Sequence, residues 1–453
     1  MSQADNQAAR SRGSRTLQAL EIPEFRRFYL GLGISLIGSW LQAAAVRWIV
    51  FERTGSEEAL GLVEAASILP GLVVGLFAGS LADRVAPKPL ILFAQTGQML
   101  FAFGLAAAVA FDDAQPWKLA LLVACNRVFV AFEMPGRLVL LHGLVGRDLM
   151  PNAIALHSGL FNASRILGPA LAGPCLIWLG GAACFGLNGL SYLAAIVALL
   201  TIRPVAAERP AGGHHSGILG GLSYLRSDHR VAALFLMVGF FGVFGMGYDA
   251  MVPAYARKVV QTDVVGYSLL MASSGAGATL GAFWVASMGG VRRKERLILG
   301  GLALFAVGLA GLAIFPPWIE ARWPEVRLAM PVASACLLVV GLGAVIFYAS
   351  AQSLIQSTVP DALRGRMMGI WMVVYSGSVP LGALLTGSAA QAWGVGRIIL
   401  VSSVLCLLVA AVAWKTRLIA ARQGFEADPS ARIDLMPSMI ESSTGSAQGE
   451  GRP

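Results

Sequence analysis

The chain has 453 residues, 56% of them hydrophobic and only 13% charged, with a formal net charge of +9 and a mean hydropathy of +0.69. Soluble domains carry about 25% charged residues. Water cannot hydrate this much apolar surface, so the composition excludes a water-soluble protein and makes lipid the solvent.

The first 27 residues are polar and basic, which predicts a cytoplasmic segment and no cleavable signal peptide. Apolar runs long enough to span hydrocarbon follow near 28–51, 59–82, 89–111, 117–138, 152–179 and 182–202. The stretch 204–230, with Pro204, Pro210, Gly212-Gly213 and His214-His215, is the longest internal loop and reads as a linker holding a short helix near 217–225. Its two histidines have no third ligand nearby, so a solvated linker is expected and no metal. A second set of runs lies near 231–253, 265–288, 296–315, 329–351, 366–392 and 396–414. Residues from 417 onward are Ser, Gly, Pro and charge, and are expected to be a disordered tail.

Twelve spans put both termini on one side, and the bases choose the side. Arg10, Arg12, Arg15, Arg26 and Arg27 precede the first span; Arg84, Lys88, Arg137, Arg147, Arg226, Arg292, Arg293, Lys294, Arg364, Arg366 and Lys415 follow the even-numbered ones. That side is therefore read as cytoplasmic, in a bacterial inner membrane. The excess charge is a topology signal and predicts no nucleic-acid partner. The halves also repeat weakly: Ala65-Ala-Ser and Leu90-Ile-Leu recur as Ala272-Ser-Ser and Leu297-Ile-Leu at one constant offset. The expected fold is an all-α membrane protein, twelve transmembrane helices in two pseudo-symmetric six-helix halves, 28–203 and 231–416.

Charged residues inside spans are costly and usually paired or functional. Arg127 and Arg165 fall near mid-depth, Glu133 toward the cytoplasm, and Arg47, Glu64 and Asp249 toward the outside. Ser158, Asn162 and Arg165 recur on one helical face, which should look at protein or cavity. Asn126 shares a face with Glu133, and Arg127 is turned from it by roughly a third of a turn. Ser35, Ser39 and Gln42 share a face of the first span. Two readings of Arg165 stay open here: a tie between helices, or a group facing cargo. The five cysteines sit inside apolar runs without metal spacing and read as small core residues.

The turn after the second span, Gly79-Ser-Leu-Ala-Asp83-Arg84-Val-Ala-Pro-Lys88, resembles the loop between helices 2 and 3 of the major facilitator superfamily, G-x-x-x-D-R-x-G-x-[RK]-[RK]. Gly79, Asp83, Arg84 and Lys88 match; Ala86 and Pro89 depart from it. Gly168-Pro169-Ala-Leu-Ala-Gly173 resembles the helix-5 signature of facilitator exporters, and Arg127 stands where proton-coupled drug exporters have a helix-4 Arg. Gly38-Ser-Trp-Leu-Gln42, Cys184-Phe-Gly-Leu-Asn188 and Arg364-Gly-Arg-Met-Met resemble the enterobactin-exporter and macrolide-efflux branch over about residues 20–415.

The resemblance implies parallel halves with a substrate site between them near the bilayer midplane. It implies secondary active export of an amphipathic small molecule driven by protons, with lipids as the surroundings and a monomer as the working unit. Two central arginines without an acid at their depth favour an anionic, siderophore-type cargo. The alternatives are multidrug or macrolide efflux, or a lipid flippase or non-transporting receptor on the same fold. No enzyme and no cofactor are expected: no phosphate loop ending in Lys-Ser/Thr is present, and Ser223, Asp228 and His229 lie in a linker without a pocket.

The expected substrate contacts are Arg127, Arg165, Asn162, Asn126 and Gln42. The expected proton-coupling or gating residues are Asp249, Glu64, Arg47 and Glu133. Asp83 is expected to accept hydrogen bonds from the start of helix 11 near Arg364 or Arg366, and the resemblance implies a Lys88–Glu133 pair. An Arg47–Asp249 ion pair is expected to close the outer gate, with Glu64 as the competing partner of Arg47.

Overall fold

The computed structural model describes residues 17–82, 84–202, 218–288, 294–323, 328–416 and 418, and every extended element among them is helical. The first three long helices are α1 (Pro23–Thr54), α2 (Glu57–Ala82) and α3 (Pro87–Ala110). The run Pro116–Trp178 is two helices, because Gly146 breaks it with φ 71° and ψ 178°. That left-handed φ is open to glycine at no steric cost, and it separates α4 (116–145) from α5 (147–178). Then come α6 (Gly180–Thr201) and a short helix at Ile218–Ser227. The second set is α7 (His229–Lys258), α8 (Val264–Ser287), α9 (Lys294–Arg322), α10 (Ala329–Thr358), α11 (Asp361–Trp393) and α12 (Val395–Lys415).

Local chemistry sets the boundaries. Pro opens the first turn of α1, α3 and α4, where its missing N–H costs nothing. Asp228 caps α7 by accepting from the backbone N–H groups of Arg230 and Val231 at 3.0 and 3.2 Å, and Asp263 caps α8 in the same way. Asp228 is thus a helix cap. Several helices outrun their apolar cores: α1 starts at Pro23 and α9 continues to Arg322, beyond the apolar runs at 28 and 315. Turns that have left the hydrocarbon remain helical without being apolar.

In the first half α1 packs on α5 and α6; in the second α10 packs on α8 and α9, and α12 on α9. The halves meet along two helix pairs, α2 with α11 and α5 with α8. Small residues let the backbones approach. A Cβ on Gly61 of α2 would sit 2.5 Å from the Ala383 carbonyl of α11, and one on Gly275 of α8 would sit 2.9 Å from the Arg165 carbonyl of α5.

These seams do not run the full length. The end holding the start of α1 and the end of α12 is here the near end. At the far end, Gly387, Gly61 and Gly173 all press on the opposite half. Farther along the same helices toward the near end, a Cβ on Gly75, Gly159 or Gly369 would meet nothing within 4 Å. The halves are closed at the far end and part toward the near end. Asp83, His214-His215 and the tail from 419 lie outside the described residues.

Candidate functional site

Three ionised side chains meet where the halves close. Arg47 of α1 places Nη2 2.8 Å from Glu64 Oε2 on α2, and Nη1 3.0 Å from Asp249 Oδ2 on α7. Its Nε donates to the same Glu64 oxygen at 2.9 Å. One guanidinium is therefore shared between a carboxylate of its own half and a carboxylate of the other. The three side chains are only 12, 12 and 22% exposed. Two carboxylates against one cation leave a surplus negative charge in a poorly hydrated place.

The surrounding ties cross the boundary too. Trp48 stacks on Tyr267 with centroids 5.3 Å apart, and the Tyr267 hydroxyl donates to the Ala44 carbonyl at 3.1 Å. Nearer the surface, Lys258 Nζ lies 2.7 Å from Glu57 Oε1, and the Gln391 side-chain oxygen accepts from the Glu57 backbone N–H at 3.0 Å. The Glu57 carboxylate is buried, and its Oε2 has no hydrogen-bond partner among the described residues. Glu57, Lys258 and Gln391 were not among the expected site residues. Glu57 opens a helix, where an acid is ordinary, so only its burial marks it.

At mid-depth stand Arg127 of α4 and Arg165 of α5, both half-buried. Among the described residues neither guanidinium makes a hydrogen bond or an ion pair; Arg165 instead lies over the Trp40 ring, 5.8 Å from its centroid. Arg165 lies at the boundary with the other half: a Cβ on Gly275 of α8 would sit 2.9 Å from its carbonyl oxygen and 3.5 Å from its Cγ. Asn162, one turn away, donates to the Ser158 carbonyl at 2.8 Å.

Two expected substrate contacts have other work in this conformation. Gln42 is 7% exposed and accepts from Asn188 Nδ2 of α6 at 2.8 Å; Asn126 is 5% exposed and donates to the Gln98 carbonyl of α3 at 3.1 Å. Both tie helices of the first half together.

The expected Lys88–Glu133 pair needs correcting. Lys88 donates to the Ile202 carbonyl at 2.7 Å and the Leu200 carbonyl at 3.4 Å, completing the end of α6. A cation there satisfies carbonyls that have no partner within the helix. Glu133 is 3% exposed and fully engaged: Gln95 and Gln98 of α3 donate to its two oxygens at 2.9 and 2.7 Å, and Arg137 pairs with it one turn on. The signal for this was a pair of glutamines three residues apart in an otherwise apolar run.

Of the motif residues, Gly168 and Gly173 are contact points. A Cβ on Gly168 would sit 2.4 Å from Trp40 Cβ and 2.8 Å from the Leu41 nitrogen of α1; one on Gly173 would sit 2.9 Å from Val265 Cα of α8. Pro169 is buried between them. Arg84 is exposed, Gly79 lies in the last turns of α2, and Arg366 is half-buried at the start of α11. Arg364 pairs with Asp361 and donates to the Gln356 carbonyl at 3.0 Å, both in its own half.

The sequence matches, over residues 14–447, the family described as transmembrane secretion effector. Similar proteins include the multidrug efflux pump Tap of Mycolicibacterium fortuitum, 25% identical over 83% of this chain and 91% of that one. The enterobactin exporter EntS of Escherichia coli is 26% identical over 85% of this chain and 92% of that one. Among solved structures the fold is similar to the nucleoside transporter NupG, with a TM-score of 0.68 at 14% identity, covering 87% of this chain and all of that one.

Proposed function

This chain belongs to the transmembrane secretion effector family of major facilitator exporters, membrane transporters and not enzymes, and from that premise we propose that it exports an amphipathic organic anion in exchange for protons. The observation that supports this is how the five central charges sort. A guanidinium shared by two carboxylates ties the halves at the far end, and two half-buried guanidiniums without hydrogen-bond or ion-pair partners among the described residues stand at mid-depth, Arg165 over the Trp40 ring.

An unpaired guanidinium at membrane depth is destabilised by several kcal/mol unless an anion or water compensates it. A carboxylate or catecholate cargo supplies that anion, and a siderophore-type metabolite is the class that fits. The far-end trio supplies the coupling. Asp249, 22% exposed against 12% for Glu64, is the carboxylate that a proton from solvent reaches first. Protonation of Asp249 removes one half's claim on Arg47 and leaves Glu64 holding it, so the tie across the boundary breaks and the tie within the first half stays. In this reading the near end faces the cytoplasm, cargo enters the opening there, and proton arrival from outside releases the far end.

The test is transport in liposomes carrying purified protein, with an imposed pH gradient. Anionic siderophores, a macrolide and a cationic dye are offered in turn. Proton flux evoked by the anions alone supports the proposal. Flux evoked by the macrolide or the dye and not by the anions replaces it with drug efflux.

A further inference from the structure

The second half carries an aromatic pair of its own. On α10 and α11, Tyr348 and Tyr375 lie with ring centroids 4.5 Å apart and planes inclined at 50°. Tyr348 is held from behind: its hydroxyl accepts from Trp371 Nε1 at 3.1 Å, and Trp371 packs edge-on against Phe235 of α7. Trp371 and Phe235 are buried, whereas both tyrosines are only half-buried. Tyr348 is therefore an anchored ring, and both tyrosines keep part of their surface exposed instead of filling the core.

Their level is that of Arg165. Next to Tyr375, a Cβ on Gly377 would sit 3.6 Å from Leu72 Cδ2 of α2, and one on Gly239 of α7 would sit 3.4 Å from Val374 Cγ1. On the other side the Arg165 backbone touches Gly275 of α8. Both contacts mark the depth at which the halves begin to part. The Tyr375 hydroxyl, unlike that of Tyr348, makes no hydrogen bond among the described residues. A half-buried phenol and a half-buried guanidinium, neither hydrogen-bonded among the described residues, thus stand at one level on opposite halves. Beside Arg165, Trp40 and Phe161 add an edge-to-face pair at 5.7 Å.

We infer that Tyr348 and Tyr375 form an aromatic wall facing Arg165 and Trp40, and that the exported anion is one whose charged group is joined to a flat aromatic ring. The carboxylate or phenolate of such a cargo accepts from Arg165 and from the Tyr375 hydroxyl, bridging the halves. Its ring lies against Tyr348 and Tyr375, where offset aromatic contact adds to plain burial. This deepens the anion-export reading and rests on it.

The test is binding to purified protein in nanodiscs, using 2-naphthoate and decalin-2-carboxylate as probes of like charge and outline. The wild type should prefer the naphthoate. Tyr348→Leu should weaken naphthoate about tenfold, the worth of one aromatic pair, and leave the decalin acid within about twofold. Tyr348→Phe, which keeps the ring and loses only the hydroxyl, should restore the preference. Tyr375→Phe should weaken both acids alike, since each presents the same carboxylate. Equal losses of the two acids in Tyr348→Leu, or a wild type that prefers the decalin acid, overturn the aromatic wall. The wild-type preference decides the matter if Tyr348→Leu does not fold. Neutral 2-naphthamide binding as tightly as naphthoate, with Arg165→Gln without effect, overturns the anion reading instead. A wild type that binds neither acid overturns both.

Discussion

Arg47 and Asp249 hold a 3.0 Å ion pair across the boundary between the halves, while the same guanidinium grips Glu64 of its own half at 2.8 Å. The two carboxylates should therefore respond in opposite directions to neutralisation. Asp249→Asn removes the crossing tie and should loosen the far end. Glu64→Gln leaves Arg47 wholly to Asp249 and should hold the far end shut. Spin labels at Glu52 and Arg257, both exposed at the far ends of α1 and α7, report the distance. Proton-driven export should fall at least about tenfold in either variant, a loss of about 1.4 kcal/mol of coupling. A label distance that moves the same way in both rules out competition for Arg47. Cysteines at 47 and 249 should cross-link only with the far end closed.

Glu57 and Lys258 make a second fastening nearer the surface. Lys258 is 48% exposed and Glu57 only 2%, so solvent screens one partner and not the other. Lys258→Met leaves a buried carboxylate with no cation and should favour the open far end by about 1–3 kcal/mol. The double change with Glu57→Leu should be milder than Lys258→Met alone. The same label pair reads both; additive effects in the double variant would mean the two residues act independently.

Glu133 behaves differently from Asp249. Its carboxylate is surrounded by Gln95, Gln98 and Arg137, all buried. Glu133→Gln strands the Arg137 charge and should cost about 3–5 kcal/mol of stability. Arg137→Gln added to it should recover much of that loss. Thermal unfolding in detergent measures both. Asp249→Asn, at the more hydrated boundary, should leave the unfolding temperature within a few degrees. A stable Glu133→Gln protein that still folds but loses its response to a proton gradient would instead make Glu133 a proton carrier.

Gly168→Ala forces a methyl to within 2.4 Å of Trp40 Cβ and 2.8 Å of the Leu41 backbone. Overpacking of this kind should cost about 1–3 kcal/mol. Because Trp40 carries the Arg165 guanidinium on its ring, anion affinity should fall as well. Gly186→Ala, with nothing within 4 Å, is the control and should leave both unchanged. Equal effects of the two substitutions would remove the role of close α1–α5 packing.

Much of the fold was legible because lipid imposes it. A spanning helix must be long, apolar and internally hydrogen-bonded, so counting apolar runs finds it. The join of α4 and α5 at Gly146 and the polar ends of α1 and α9 were not visible, since hydropathy is blind to helix that lies outside the hydrocarbon. The ionised residues were legible one by one, because each stands out in an apolar run. Their pairing was legible only where symmetry helped, as with Arg47 and Asp249 on corresponding helices. Lys88 stands at the start of α3, whereas Glu133 meets Gln95 and Gln98, about 10–15 Å further along that helix. Spacing along one helix fixes relative phase and not absolute direction. Glu57 and Tyr375 were missed for a plainer reason: an acid at a helix start and a tyrosine in a span are both ordinary until their neighbours are known.

Between Phe241 and Gly245, α7 widens into a π-turn, and the Met246 N–H reaches back five residues to the Phe241 carbonyl at 2.9 Å. Such a turn carries one residue more than the α-helix around it. Asp249 lies only four residues beyond it, so the surplus residue acts as a set-screw on the gate. If the same residues closed into regular α-helix instead, α7 would lengthen by about 1.5 Å and Asp249 would swing by about 100° about the helix axis. The carboxylate would then turn away from Arg47 with no change in charge, composition or hydropathy. Register in this segment is as much a part of the gate as the acid itself, and a chain that kept every charged residue but lost this turn would keep the lock's parts without its alignment.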